Sequence, residues 1–194
     1  MPMQTTLSSN KLDAELLAKE SLLQKSEISL WLDTYDDIFS DFDPRPFNER
    51  SLSIDFLDEA QRAARDKGQE TIQLKLRIPT QKRNTSQETL IKKRLKEYFK
   101  KKAEEKTKEV KKVITNGVLF TLLGVLLMIL AAAIAFYEAH AAFFATFLLI
   151  LFEPAGWFFF WEGMGLIVFE ARKLKPSNEF YQKMKYCDIK FWGY

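Results

Sequence analysis

The sequence VITNGVLFTLLGVLLMILAAAIAFY spans residues 113–137 and is followed, at residues 143–169, by FFATFLLILFEPAGWFFFWEGMGLIVF. In the first, Val118–Phe136 contains 19 residues, of which Thr121 alone is polar. A helix of about 20 apolar residues crosses the hydrocarbon core of a bilayer. The connection between the two is too short for anything except an antiparallel pair. We therefore predict a two-helix transmembrane hairpin over residues 118–169; the alternative is a long buried hairpin inside a soluble protein.

The basic residues lie outside this hairpin. The chain has 29 Lys and Arg residues, and none of them falls within residues 118–169. Residues 84–117 carry a net charge of +6 and residues 170–194 a net charge of +3, whereas residues 1–83 carry a net charge of −3. Lys and Arg concentrate in the cytoplasmic flanks of membrane helices. We therefore expect a multi-pass protein of the cell membrane with both termini in the cytoplasm.

Alternating apolar and polar residues predict strands at residues 27–33, 71–78 and 187–192. Two strands are marginally stable in water, whereas three with an apolar face are viable. We therefore expect the C-terminal strand to complete a sheet of about three strands in a small cytoplasmic α+β domain. The alternative is that the aromatic tail lies at the lipid interface. Helical spacing predicts helices at residues 10–25 and at about 51–67.

Two further expectations concern the helices. A helix that begins at about Gln87 runs without a break into the first membrane helix, and Pro176 ends the exit of the second. The helix between the first two strands is expected to bury Ile54, Leu57, Gln61 and Ala64. The predicted organisation is therefore a cytoplasmic α+β domain (1–83), a basic juxtamembrane helix (84–117), the hairpin (118–169) and a cytoplasmic tail that packs on the N-terminal domain (170–194).

Glu153 is an acid within the second apolar stretch. Counting from the turn places it opposite Gly124, near the middle of the bilayer, where an acid such as Asp costs about 2.5–3.5 kcal/mol. Its partner would be Thr121, water, another subunit, or the carbonyl of Ile150, which Pro154 leaves without a donor. Two interpretations stay open: a proton- or cation-linked site around a helix break, or a neutral Glu that fixes helix packing through a hydrogen bond.

Other polar and small residues of the hairpin are candidates for packing. Glu162 is expected near the cytoplasmic interface, at the depth of Asn116, where it bonds either Asn116 or the nearby Lys111 and Lys112. Small residues let membrane helices approach closely, within the hairpin or between copies of the chain. The small residues considered are Gly124, Ala131, Ala135, Ala139, Gly156, Gly163 and Gly165, with Gly156 also part of the predicted break after Pro154.

The segment before the hairpin forms a basic collar. Near an anionic membrane surface each Lys or Arg adds ~1 kcal/mol of attraction, so anionic headgroups are expected partners; the alternative is a topology determinant with a solvated face. Interleaved Glu residues and the net acidic domain argue against a nucleic-acid partner. The collar comprises Lys92, Lys93, Arg94, Lys100, Lys101, Lys102, Lys108, Lys111 and Lys112.

An acidic loop lies at residues 33–50, DTYDDIFSDFDPRPFNER, with Asp37, Asp41, Asp43 and Arg45 as candidate site residues. Clustered carboxylates can hold Ca²⁺ or Mg²⁺. The ligand order of an EF-hand, with its central Gly, is absent. We therefore expect no metal, and a loop with Asp–Arg pairs that docks on the domain or on a neighbour.

The sequence contains no motif of a known chemistry. It has no Gly-rich phosphate loop or nucleophile elbow, and its single His and single Cys exclude a multi-His or multi-Cys site within one chain. We expect no cofactor and favour a non-enzymatic protein. The expected function is a structural or regulatory membrane module, homo-oligomeric, whose cytoplasmic domain recruits an unidentified cytoplasmic protein. The alternatives are a homo-oligomeric ion or proton channel with Glu153 in the pathway, and a membrane-bound enzyme that uses the acidic loop.

Overall fold

The computed structural model describes residues 27–65, 67, 72–137 and 143–194. They form two units. The sheet unit contains the described residues up to Lys102 together with Phe180–Tyr194, and the hairpin unit contains Ala103–Glu179. The predicted helix at residues 10–25 and Ala139 lie outside the described residues.

The sheet unit contains three strands, β1 (Glu27–Trp31), β2 (Gln73–Ile78) and β3 (Asp188–Gly193), in the order β1-β2-β3. Both neighbouring pairs are parallel. The predicted combination of helices with a small three-stranded sheet is therefore confirmed, and the C-terminal residues supply its third strand. The strand direction is a new finding, because alternation within one strand does not specify the direction of its neighbour.

Parallel pairing requires long crossover connections. The crossover from β1 to β2 contains helix α1 (Ile54–Arg65). The crossover from β2 to β3 contains α2 (Thr85–Tyr137), α3 (Phe143–Gly165) and α4 (Ala171–Lys185), with a π-helical turn at Leu166–Glu170 between α3 and α4. In chain order the hairpin unit is thus inserted between two strands that pair with each other.

One face of the sheet forms the core of the sheet unit. The alternating strand residues bury their apolar side chains on this face, as the sequence predicts. The helices contribute side chains spaced by four residues, which lie on one helix face. The core includes Ile28, Leu74, Leu76, Ile78, Ile189 and Phe191 from the sheet, Ile91, Leu95 and Phe99 from α2, and Phe180 and Met184 from α4.

The predicted buried face of α1 is wrong only in part, since Ala64 is buried and Leu57 packs against the core. The helix buries Phe56, Ala60 and Ala64, and Ile54 is exposed. The spacing of four residues places the Phe56 ring and two small residues on one side, so that the helix can lie close to its neighbours. Ile54 lies at the first position of the helix, where it is directed away from the core.

The expected end of a helix at Pro176 is also wrong, because Pro176 lies inside α4. Proline removes one backbone hydrogen bond and its ring crowds the preceding turn. The turns that follow it bury Phe180 and Met184 in the core of the sheet unit. This burial stabilises the helix beyond the proline.

Two helices in the described part of the chain are long and apolar enough to cross a membrane. In their most apolar windows of 18 residues, only 11% of α2 and 6% of the helix that begins with α3 is buried. A core helix of a soluble protein is mostly buried. This exposure disfavours the alternative of a hairpin buried inside a soluble protein.

Candidate functional site

The hairpin packs tightly where glycines face the neighbouring helix. A Cβ atom on Gly124 of α2 would overlap the backbone nitrogen of Phe160, and one on Gly163 of α3 would overlap the hydroxyl of Thr121. Small residues permit such close approach of helix backbones. Gly165, in contrast, has open space where its Cβ would lie. The close packing therefore involves Gly124 and Gly163 but not Gly165.

Contacts of this kind show which residues of α2 lie beside Glu153. Gly156 lies against Met128, since a Cβ atom on Gly156 would be 2.7 Å from the Cγ atom of Met128. Glu153 precedes Gly156 and lines a groove with Ala135 of α2. It therefore lies between one and two helical turns nearer to the connection than the expected position opposite Gly124.

The groove at Glu153 has a volume of about 340 Å³. The Glu153 side chain is exposed, and among the described residues no hydrogen bond or ion pair to it is observed. Thr121, one of its expected partners, donates its hydroxyl to the carbonyl oxygen of Gly117 at 2.8 Å. The groove is lined by Met128, Ala131, Ala132, Ala135, Leu149, Glu153 and Trp157.

The remaining polar candidates of the hairpin do not converge on this groove. Glu162 and Asn116 are exposed, and no hydrogen bond joins them in the part of the chain that the structure describes. The predicted break is not an interruption, because α3 continues through Pro154 and Gly156 to Gly165. Helices of this kind tolerate proline when the freed backbone groups find other partners.

The basic collar divides into two sets. Lys92 places its ammonium 5.6 Å from the ring centroid of Phe191, and Arg94 donates to the carbonyl oxygens of Arg50 and Glu49 at 3.2 and 3.3 Å. These two cations therefore stabilise the sheet unit, and Lys102 is partly buried. The exposed members of the collar are Lys93, Lys100, Lys101, Lys108, Lys111 and Lys112.

The acidic loop contains the expected Asp–Arg pairs. Arg45 donates to both carboxylate oxygens of Asp43, at 2.8 and 2.7 Å, and the backbone N–H of Ser51 donates to the same carboxylate at 2.7 Å. The hydrogen bond from Arg45 holds the pKa of Asp43 well below its usual value. Asp37 accepts a backbone hydrogen bond from Thr34 at 3.1 Å. These carboxylates therefore order the loop.

The carboxylates of this loop do not converge on one point. Asp41 is exposed, and Arg50 forms an ion pair with Asp36. Across the described ranges of the chain, no group of three or more His, Cys, Asp or Glu side chains is arranged to hold a metal ion. The loop is held together by side-chain pairs within the chain.

A buried polar cluster was not predicted. Glu88 is the one charged side chain buried in the described part of the chain. Arg83 donates to both of its oxygens, at 2.9 and 3.1 Å, and Tyr35 donates to it at 3.2 Å. Burial acts to raise the pKa of Glu88, but the hydrogen bonds and charge of Arg83 outweigh it, so that the pKa is lowered. Burial, followed by the proximity of Glu88, raises the pKa of Tyr35 despite the backbone N–H of Asn84.

Among the described residues, the second face of the sheet is exposed and carries a row of aromatic and basic side chains. Trp31, Arg77 and Trp192 are in register across the three strands. The guanidinium of Arg77 lies 5.1 Å from the ring centroid of Trp31. Trp31 and Trp192 are 62% and 51% exposed, and Tyr194 packs on Trp31 with centroids 4.5 Å apart. We call these residues, with Lys75 and Lys190 of the adjacent row, the open face.

The cations of the open face are held in place. Lys75 lies 4.6 Å from the ring centroid of Trp192 and forms an ion pair with Glu27 at 2.8 Å. Arg77 donates to the hydroxyl of Ser29 at 3.0 Å. The predicted alternation already directs these side chains outward, but their common row depends on strand register, which the sequence does not give.

Comparison with known protein families, with curated proteins and with solved structures gave no match for this chain.

Proposed function

We propose that this chain is a two-pass membrane protein whose sheet unit docks a protein partner through the open face. The observation that carries this proposal is an all-parallel sheet with one face that the described residues leave uncovered, because parallel sheets are normally covered on both faces. We therefore expect that the protein functions with another molecule bound over the open face. The docking partner supplies the second layer.

The composition of the open face supports a protein as the partner. Trp, Tyr and Arg are enriched among the residues that dominate binding energy at protein interfaces. Trp31, Trp192 and Arg77 lie in one row toward the carboxyl ends of the strands, with Lys75 and Lys190 in the adjacent row. We therefore propose a partner with apolar side chains between acidic ones.

Chain order supports the two-pass topology. β2 precedes the apolar helices and β3 follows them, and these two strands pair. Both ends of the inserted hairpin must therefore lie on the same side of a membrane, which requires that the chain cross the membrane an even number of times. The net charges of +6 and +3 in the flanks, together with the absence of Lys and Arg within residues 118–169, favour the cytoplasm as that side.

The exposed lysines of the collar support a membrane-proximal role. Lys108, Lys111 and Lys112 lie next to the first apolar run and are exposed. Near an anionic surface each contributes ~1 kcal/mol of attraction. Anionic headgroups are accordingly the proposed lipid partners of the collar.

Site-specific crosslinking tests the docking proposal. A photoreactive amino acid replaces Lys190 on the open face, and a matched control replaces Thr89, which is exposed on α2. In membranes of the native host we expect position 190 to crosslink a second protein, and Arg77→Glu to abolish this product by reversing the charge. An intramolecular crosslink to residues 10–25, or a crosslink to lipid alone, would contradict the proposal.

A further inference from the structure

The groove beside Glu153 has the size and lining of a small-molecule site. Its volume is about 340 Å³, and ligand pockets in proteins begin at roughly 300 Å³. The walls are apolar, with alanine side chains from α2 and Leu149 and Trp157 from α3. Glu153 is the one titratable group among the lining residues.

The described residues of the hairpin supply no cationic partner for Glu153. Ionisable side chains at membrane depth pair with one another or with other polar groups. Among the described residues no ion pair or hydrogen bond to Glu153 is observed, and residues 118–169 contain no Lys or Arg. A second copy of the hairpin brings no Lys or Arg to this depth either. A separate membrane-soluble cation can supply the charge.

Trp157 adds a second recognition element. It lines the same groove and lies one turn after Glu153 on the same helix face. Cations are attracted to the face of an indole ring, most strongly where water is excluded. Trp161 stacks on Trp157 with centroids 6.0 Å apart and an interplanar angle of 15°, which limits the movement of the Trp157 ring.

We infer that this groove binds a lipophilic organic cation. The positive centre lies at the carboxylate of Glu153, and an apolar substituent packs against Trp157 and the alanines of α2. The inference rests on the membrane insertion proposed above, because the hydrocarbon around the groove is what makes an unpaired carboxylate costly. It is independent of the protein partner of the open face.

Cation binding to the reconstituted full chain tests the inference. Radiolabelled tetraphenylphosphonium is equilibrated with vesicles of phosphatidylcholine, which carries no net charge, and insertion is checked by resistance to alkaline carbonate. We expect saturable binding to the native chain. Loss of the charge in Glu153→Gln, or filling of the groove in Ala132→Leu, should weaken binding by about tenfold or more, the factor that corresponds to about 1.4 kcal/mol. Glu162→Gln is the matched control, because Glu162 lies on α3 outside the groove.

Two results would overturn the inference while membrane insertion stands. One is equal binding by the native chain and Glu153→Gln. The other is no saturable binding by a chain that resists carbonate; dimers crosslinked through Ala132→Cys would then assign the groove to a second copy. Release of the chain by carbonate would overturn membrane insertion, and the inference with it. Failure of the crosslink at Lys190, with cation binding intact, would remove only the protein partner.

Discussion

At the scale of single residues, the cluster around Glu88 shows how a buried charge is stabilised. The carboxylate is surrounded by the fork of Arg83 and the hydroxyl of Tyr35, and that hydroxyl accepts the backbone N–H of Asn84 at 2.8 Å. Each polar atom therefore has a partner, as buried polar groups require. The cluster joins the loop after β1 to the first turn of α2.

Replacing Glu88 by Gln should destabilise the sheet unit by about 2 kcal/mol, since hydrogen bonds to charged groups contribute about 1.5–3 kcal/mol. The free energy of unfolding of the full chain in detergent, followed by tryptophan fluorescence, measures this change. Glu97→Gln is the matched control, because Glu97 is exposed on the same helix, and surface changes stay within about 0.5 kcal/mol. Equal stabilities of the two variants would show that the buried pair contributes little.

The same residue predicts a pH dependence. The pKa of Glu88 is lower in the folded chain than its ordinary value, which is about 4.3 in an unfolded peptide. Its stabilising contribution is therefore complete above that value and is lost as the pH falls through the folded pKa. In acid titrations the native chain should lose more stability than Glu88→Gln, and parallel curves would contradict this assignment.

At the scale of elements, the hairpin depends on close contact between α2 and α3. Gly124→Ala places a methyl group on the backbone of Phe160, and overpacking of this kind costs about 1–3 kcal/mol. Gly165→Ala is the matched control, because its Cβ meets open space. Denaturation of the reconstituted hairpin, followed by helical circular dichroism, should show a loss for Gly124→Ala and none for Gly165→Ala. A similar loss in both would indicate a general intolerance of alanine rather than a close contact.

Two adjacent residues of strand β3 have different expected roles: Phe191 stabilises the core, whereas Trp192 belongs to the open face. Phe191 is buried, and truncation of a buried Phe to Ala costs about 3–5 kcal/mol. Trp192 is half exposed on the open face, so Trp192→Ala should change stability by only about 0.5–1 kcal/mol, the value of an exposed cation–π contact. Thermal unfolding distinguishes the two. A larger effect at Trp192 than at Phe191 would show that the strand faces are reversed.

The elements were largely predictable from the sequence because each has a local pattern. Alternation located β2 and the tail strand, and the length of the apolar run at Val118–Phe136 located the hairpin. The relation between elements was not predictable. The open face depends on Trp31 and Trp192, from opposite ends of the described chain, meeting through the register of β2. The level of Glu153 depends on the contact between Gly156 and Met128, which residue counting from a turn does not define.

At the scale of the whole molecule, the chain order constrains any membrane topology. The strand pair β2–β3 closes only after the chain has passed through α2, α3 and α4. A sheet cannot form from strands on opposite sides of a bilayer, so a topology with one crossing is incompatible with the fold. The proposed two-pass topology therefore predicts that residues 138–142 are accessible from the other side.

Cysteine labelling with a membrane-impermeant maleimide tests this topology in sealed vesicles of known orientation. Thr89→Cys precedes the hairpin and Tyr186→Cys follows it; both positions are exposed, and neither substitution changes the charge. The two should label from the same side, and Ala139→Cys, in the connection, from the opposite side. The native chain is the control, because burial raises the pKa of Cys187 to about 12, and a buried thiol without thiolate character reacts poorly. Labelling of Thr89→Cys and Tyr186→Cys from opposite sides would require the strands β2 and β3 to separate in the membrane.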